Sequence, residues 1–161
     1  SKLWTVEEAQ KVYQTVVPYA DVVFASPFDF RVIMQMGDEF DDDNLMYEAI
    51  KKFNFRHIFG KTRKIFSSTE NSMRAYVYTK DHKDVTDEIS FQIFDRIGAG
   101  DAFASGAIHG LITRPDDPLF AAKFGLVNSI LKQTIFGDVS TFTEEEILEY
   151  METQGKTEVK R

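Results

Sequence analysis

Residues 89–112 read ISFQIFDRIGAGDAFASGAIHGLI, and the order of residue types in this stretch decides the fold. The apolar run 89–94 predicts a strand, a tight turn follows, and residues 98–112 predict a helix that opens on two glycines. Glycine lets a backbone approach a ligand closely. The first turn of a helix presents unpaired N–H groups and a partial positive charge, which together suit a phosphate. Asp101 falls inside that turn, where its carboxylate can take a proton from a nucleophile while the N–H groups hold a transferring anion. An ordinary strand–turn–helix corner, with Asp101 merely complementing the helix dipole, fits the bare Gly-x-Gly-Asp pattern equally. The small residues Ala102, Ala104, Ser105, Gly106, Ala107 and Gly110 predict that this helix packs tightly against another element.

Working outward, Thr5-Val6-Glu7-Glu8 reads as a capping box, and apolar residues at helical spacing carry the helix to Pro18. Residues 21–26 (DVVFAS) predict a buried parallel strand stopped by Pro27. Helices follow over 28–36 and 45–53, with an acidic stretch at 38–44 between them, and a strand over 55–59. Residues 63–68 and 73–79 predict a β-hairpin, 79–88 a polar loop. After the central stretch, 119–135 predicts a long apolar helix. A second capping box at Thr143-Glu144-Glu145-Glu146 opens a last one to about residue 151, ahead of a frayed polar tail over 152–161. Strands separated by helices, with one hairpin inserted, predict an α/β layered single domain over 1–161 with a mostly parallel sheet.

Composition excludes several functions. The chain has 161 residues with 43% hydrophobic and 14% aromatic residues, too apolar for a disordered polypeptide. A net charge of −7 without a Lys/Arg stripe argues against nucleic acid as partner. The absence of cysteine removes disulfides, thiolate metal sites and cysteine nucleophiles. No apolar run approaches the ~20 residues of a membrane helix, and Ser1-Lys2-Leu3-Trp4 does not begin a secretory signal, so the sequence predicts a soluble, cytoplasmic chain away from membranes.

Other motifs fail on single residues. A dinucleotide fingerprint needs glycine at Phe103, and a Walker loop ending at Gly60-Lys61-Thr62 needs glycine at Phe55. A calcium loop starting at Asp41 needs glycine at Met46. Ser67-Ser68 lacks a triad pattern, and His57, His82 and His109 lack metal spacing. His109 lies two turns after Asp101 and reads as a packed or surface residue.

The stretch DRIGAGDAFASG (95–106) resembles the signature of the ribokinase-like (pfkB) carbohydrate kinases, and Asp-Arg-Ile in front is similar to their 2-keto-3-deoxygluconate kinase branch. Ser1-Lys2-Leu3-Trp4 resembles that branch too. So do Thr62-Arg63 with Ser67, Ser68 and Asn71, Tyr76-Val77-Tyr78-Thr79, KQTIFGD (132–138) and the terminal Lys160-Arg161. The whole chain is similar to the C-terminal half of such a kinase. The half it lacks is the one that carries the sugar-recognition residues and the β-lid in that family.

The resemblance implies a partial ribokinase-like three-layer sandwich that binds ATP with Mg²⁺, and K⁺ as a further ion, and phosphorylates a small sugar or sugar acid. It makes Asp101 the base and Gly98, Ala99, Gly100 and the Asp101 N–H the anion hole. Arg63 would meet nucleotide phosphates, Ala122 and Asn128 would line the adenine side, and Asp95 with the backbone near Ile97 would hold a monovalent cation. The family's Asn-x-x-Glu magnesium motif falls on Ser26-Pro27-Phe28-Asp29, with both end residues changed. Loss of half a sheet leaves an uncovered edge near residues 22–25, without charge or proline to blunt it, and so predicts a homo-oligomer, most simply a two-fold dimer.

Overall fold

The computed structural model describes residues 4–37 and 39–153. In chain order these form α1 (Val6–Val16), β1 (Val22–Phe24), α2 (Pro27–Val32), α3 (Asp42–Phe53), β2 (His57–Ile65) and β3 (Glu70–Tyr78). Then come β4 (Lys83–Val85), β5 (Ile89–Gln92), α4 (Ala99–Thr113), α5 (Pro118–Lys132) and α6 (Glu144–Thr153). The strands make one sheet in the order β1-β2-β3-β4, with β5 also paired to β3. β1 runs parallel to β2 with Val23 opposite Ile58, and β5 antiparallel to β3 with Asn71 opposite Phe91. The α/β class holds, but the sheet is mixed rather than mostly parallel. A strand returned by a short turn, as β3 is after β2, can only come back antiparallel.

The chain divides into two compact units, one running up to Gly60 and including Val77–Asp84, the other made of Lys61–Tyr76 and everything from Val85 on. In the first, α3 starts at Asp41, whose side chain accepts from the Asn44 N–H (2.8 Å), and ends on Asn54 in the left-handed conformation (φ 57°). It buries Leu45, Met46, Ala49 and Ile50, and Phe30, Phe55, Ile58 and Phe59 join the same unit's buried residues. The Phe30 and Phe55 rings lie 6.2 Å apart and the Phe53 and Phe55 rings 5.3 Å apart. The Thr5–Glu8 capping box forms, and α1 keeps its apolar pattern, yet it buries no residue. Val12, Tyr13 and Val16 stay exposed.

In the second unit α4 lies against α5, and the small residues of the signature helix find their partner there. A Cβ at Gly110 would come within 2.5 Å of Ala121 Cα, one at Gly106 within 2.9 Å of Gly125 Cα, and one at Gly125 within 2.6 Å of the Phe103 carbonyl. The two backbones are in contact, so any larger residue at these points forces the helices apart. Ile147 and Met151 of α6 pack on Phe124 and Val127 of α5. The second capping box also forms, with Thr143 and Glu146 bonding each other's backbone N–H.

Several elements differ from expectation, among them α3, which starts at Asp42, and α5, which stops at Lys132. Residues 55–68 give one strand, β2, in place of two, because its polar outer half pairs in the hairpin. Residues 79–88 contain β4, too short and polar to show a period, and just beyond it the Thr86 N–H bonds to the Ala75 carbonyl (2.9 Å). The helix expected over 28–36 stops at Val32, and Gln35 turns left-handed (φ 51°). Glu152 and Thr153 still belong to α6. The rest of the polar tail lies outside the described residues, as do Ser1-Lys2-Leu3. No helix among the described residues is long and apolar enough to cross a membrane.

Candidate functional site

The signature turn is clamped by the loop that follows α5. The Phe94 and Asp95 N–H groups both donate to the Gln133 carbonyl (2.8 and 3.2 Å). Asp95 Oδ1 accepts from the Ile97 N–H and Oδ2 from the Gly137 N–H, each at 3.0 Å. These two bonds hold its carboxyl below the ordinary carboxylate range, with the Lys132 charge adding a smaller push. Gly98 has φ +76°, and a Cβ there would fall 1.8 Å from the Asp138 carbonyl oxygen. Backbone conformation and close approach both demand glycine at this point.

What this clamp presents is an open helix start. Gly98 is the N-cap of α4 and supplies no side-chain cap. The Ala99 N–H is turned to the Arg96 carbonyl (3.3 Å). The N–H groups of Gly100 and Asp101 have no hydrogen-bond partner among the described residues. A Cβ at Gly100 would meet nothing within 4 Å, so the surface beside these donors is open. The Asp101 side chain is exposed beside them. Two unpaired donors at the positive end of a fifteen-residue helix are the kind of arrangement that can receive an anion.

Cavities flank this start on two sides. One, of about 400 Å³, is lined by Lys61, Arg63, Arg96, Ala99, Gly100 and Gln133, so three cationic side chains share it with the helix opening. The other, of about 410 Å³, is lined by Asp101, Ser105, Asn128, Asp138 and Ser140 among others. Asn128 is fixed there, its Nδ2 donating to the Ala102 carbonyl (2.8 Å) and its Oδ1 accepting from Ser140 Oγ (2.6 Å). Ala122, expected beside it, is fully buried within α5 and does not line that cavity. His109 lines it, packed against the Phe124 ring (5.0 Å) with Nε2 3.2 Å from a Glu144 oxygen.

Lys61 is the residue that sequence reasoning passed over. Strand β2 runs straight through Gly60-Lys61-Thr62, so the Walker loop is absent as expected. Yet Nζ reaches the signature helix, donating to the Ala99 carbonyl (3.2 Å) and Ser129 Oγ (3.1 Å) over the Phe103 ring at 4.8 Å. Burial pushes its ammonium down to about 8, the Arg63 charge adds to that, and the Asp101 carboxylate opposes it. The sequence around it, Lys61-Thr62-Arg63-Lys64, is polar throughout and holds no local signal that singles it out.

Ser26 and Asp29 belong to the first unit. There Asp29 Oδ2 accepts from both the Ser26 N–H (2.8 Å) and the Ser26 hydroxyl (2.7 Å), closing the start of α2 on itself. No group of three or more His, Asp or Glu that could hold a metal occurs among the described residues.

The model of the pfkB family carbohydrate kinases matches residues 2–126. The chain belongs to that family. A 2-dehydro-3-deoxygluconokinase of Thermotoga maritima is 31% identical and superposes with a TM-score of 0.84 over 94% of this chain and 47% of its own. A 2-dehydro-3-deoxygalactonokinase of Haloferax volcanii is 27% identical over 91% of this chain and 43% of its own length. A Vibrio cholerae fructokinase, solved with fructose, ADP and potassium ion, shares the fold at 18% identity and a TM-score of 0.68, over 90% of this chain and 45% of its own. The chain thus spans about half the length of the pfkB kinases it matches.

Proposed function

We propose that the chain is the C-terminal, nucleotide-holding portion of an ATP-dependent carbohydrate kinase, which transfers a phosphoryl group from MgATP to a hydroxyl of a sugar acid of the 2-keto-3-deoxygluconate kind. The observation that carries this reading is the pair of unpartnered N–H groups at Gly100 and Asp101 beside an exposed carboxylate. In it Asp101 takes the hydroxyl proton as the oxygen bonds to the γ-phosphorus and the bond to ADP breaks. The two N–H groups meet the charge on the equatorial oxygens, and Lys61, Arg63 and Arg96 balance the remaining phosphates. The adenine of the nucleotide would lie in the cavity that Asn128 lines. Two relatives named for 2-dehydro-3-deoxy sugar acids support the acceptor class.

Magnesium enters this scheme with the nucleotide. Asp29, in the first unit, keeps Oδ1 clear of its bonds to Ser26, and a single carboxylate oxygen of this kind can hold the ion through water. The two compact units act in this proposal as parts of one kinase domain in the cytoplasm. The test is ADP release with 2-keto-3-deoxygluconate from the chain completed by an N-terminal half like that of its relatives. Asp101→Asn should lower turnover by roughly 10²- to 10⁴-fold and leave the heat of MgATP binding in place, whereas turnover equal to that of the unaltered chain would overturn the assignment of Asp101 as base.

A second reading, a nucleotide-binding module that self-associates, draws on β1 standing at one end of the strand order and on the exposed apolar side chains of α1. It predicts a dimer by light scattering at micromolar concentration. A mass of one chain, independent of concentration, contradicts it.

A further inference from the structure

The monovalent cation implied by the resemblance can be tested against the oxygen atoms assigned to it, and they do not fit a bound ion. Each Asp95 carboxylate oxygen already accepts one N–H, from Ile97 and from Gly137, so the decisive oxygen is the backbone carbonyl. The remaining oxygen of Asp95, its backbone carbonyl, faces the ammonium of Lys132 at 3.4 Å, and the same Nζ donates to the Ile135 carbonyl at 3.3 Å. Lys132 has no exposed surface at all. A lysine rarely gives up water completely, and here it does so against backbone carbonyls.

We propose that the Lys132 ammonium is a built-in replacement for the monovalent cation, so that this chain organises its signature turn without K⁺. Potassium and an ammonium group are both cations bound by rings of carbonyl oxygens, K⁺ by direct coordination and the ammonium by donating its protons. A tethered ammonium is present at every salt concentration. Its charge lies at the C-terminal end of α5, where the helix dipole favours a cation, and next to the Asp95 carboxylate. An additional K⁺ at the same carbonyls would meet a buried like charge. Plain capping of the α5 terminus accounts for the bond to Ile135 but not for the reach to Asp95, which ties Lys132 to the turn that opens the anion site.

The inference takes its cation position from the kinase reading, but its test reads no turnover, so either can fail without the other. The melting temperature of the 161-residue chain is measured in potassium, sodium and choline chloride at equal ionic strength. The expected result is one value in all three, and a saturable rise specific to K⁺ would overturn the proposal. Lys132→Met should melt lower in choline chloride and regain stability with K⁺ or Tl⁺. A folded variant indifferent to both ions would also overturn it. Should the variant fail to fold, anomalous scattering from thallium-soaked crystals of the unaltered chain still decides. No peak within coordination distance of the Asp95 carbonyl is expected, and a peak there contradicts the replacement.

Discussion

Two helix starts in this molecule carry the same residue type at the third helical position and treat it in opposite ways. At α2 the Asp29 carboxylate turns back and accepts from Ser26 twice, so the corner is closed by its own side chains. At α4 the N-cap is a glycine, Asp101 stays exposed, and the N–H groups of Gly100 and Asp101 are left without partners. A side-chain cap stabilises a helix by about 1 kcal/mol. α4 forgoes it and is held from outside, by the bonds of Asp95 and by the approach of Asp138 to Gly98. The first corner satisfies its own start of helix; the second leaves its donors open.

Substitution of the two aspartates gives the largest contrast. Asp101→Asn should lower turnover of the completed kinase by roughly 10²- to 10⁴-fold, the usual worth of a positioned base. Its melting temperature should hold. Asp29→Asn should act mainly on stability and on the magnesium dependence of KM, read from initial rates. Equal loss of turnover from both would erase the distinction between the corners.

The glycines of the open corner separate next. Gly98→Ala places a Cβ against the Asp138 carbonyl in a left-handed residue and should destabilise by at least about 2 kcal/mol in urea unfolding. Gly100→Ala meets no atom within 4 Å and should leave stability unchanged or raise it by up to ~1 kcal/mol. Its methyl occupies the anion's space, so MgATP affinity measured by calorimetry should fall. Undiminished affinity would mean the anion sits elsewhere.

Both corners are written in the sequence to unequal depth. The Gly-x-Gly-Asp order at the start of α4 is local and lies where local chemistry puts it, whereas the Ser26–Asp29 cap reads in sequence only as a changed metal motif. The openness of α4 is not local. It depends on residues 132–138, forty positions downstream, whose role follows only from the bonds between Asp95 and Gly137 and between Lys132 and Asp95. Lys61 was hidden for the same reason, since a strand lysine meets Ala99 and Ser129 only after the sheet is folded. Strand β4 escaped because it is three residues long and lacks a hydrophobic period. Small residues along α4 announced a close contact, but only the structure names Ala121 and Gly125 as its other side.

Lys61 offers a smaller effect, with a definite pH window. Its folded ammonium titrates at about 8, below its ordinary value of roughly 10.4 in an unfolded chain. Below pH 8 it is charged in both states and burial weighs against the fold in full. Between the two values only the unfolded chain keeps the proton, so that penalty fades and stability rises with pH. Lys61→Met should therefore flatten this rise, by at most about 3 kcal/mol between pH 7 and 11, in unfolding curves compared with the unaltered chain. An unchanged profile would show that the ammonium is solvated. Ser26→Ala, the smallest change, should cost about 1 kcal/mol of stability as a lost cap and leave nucleotide affinity untouched by calorimetry.

The central claim is that the start of α4 is an anion site and the start of α2 is not. Backbone amide NMR of the ¹⁵N-labelled chain, titrated with ATP in the absence of divalent cations, tests it directly. The account predicts saturable shifts of the Gly100 and Asp101 amide resonances, with those of Phe28 and Asp29 stationary. Gly100 and Asp101 resonances that stay still at millimolar ATP, or shifts confined to Phe28 and Asp29, would contradict it.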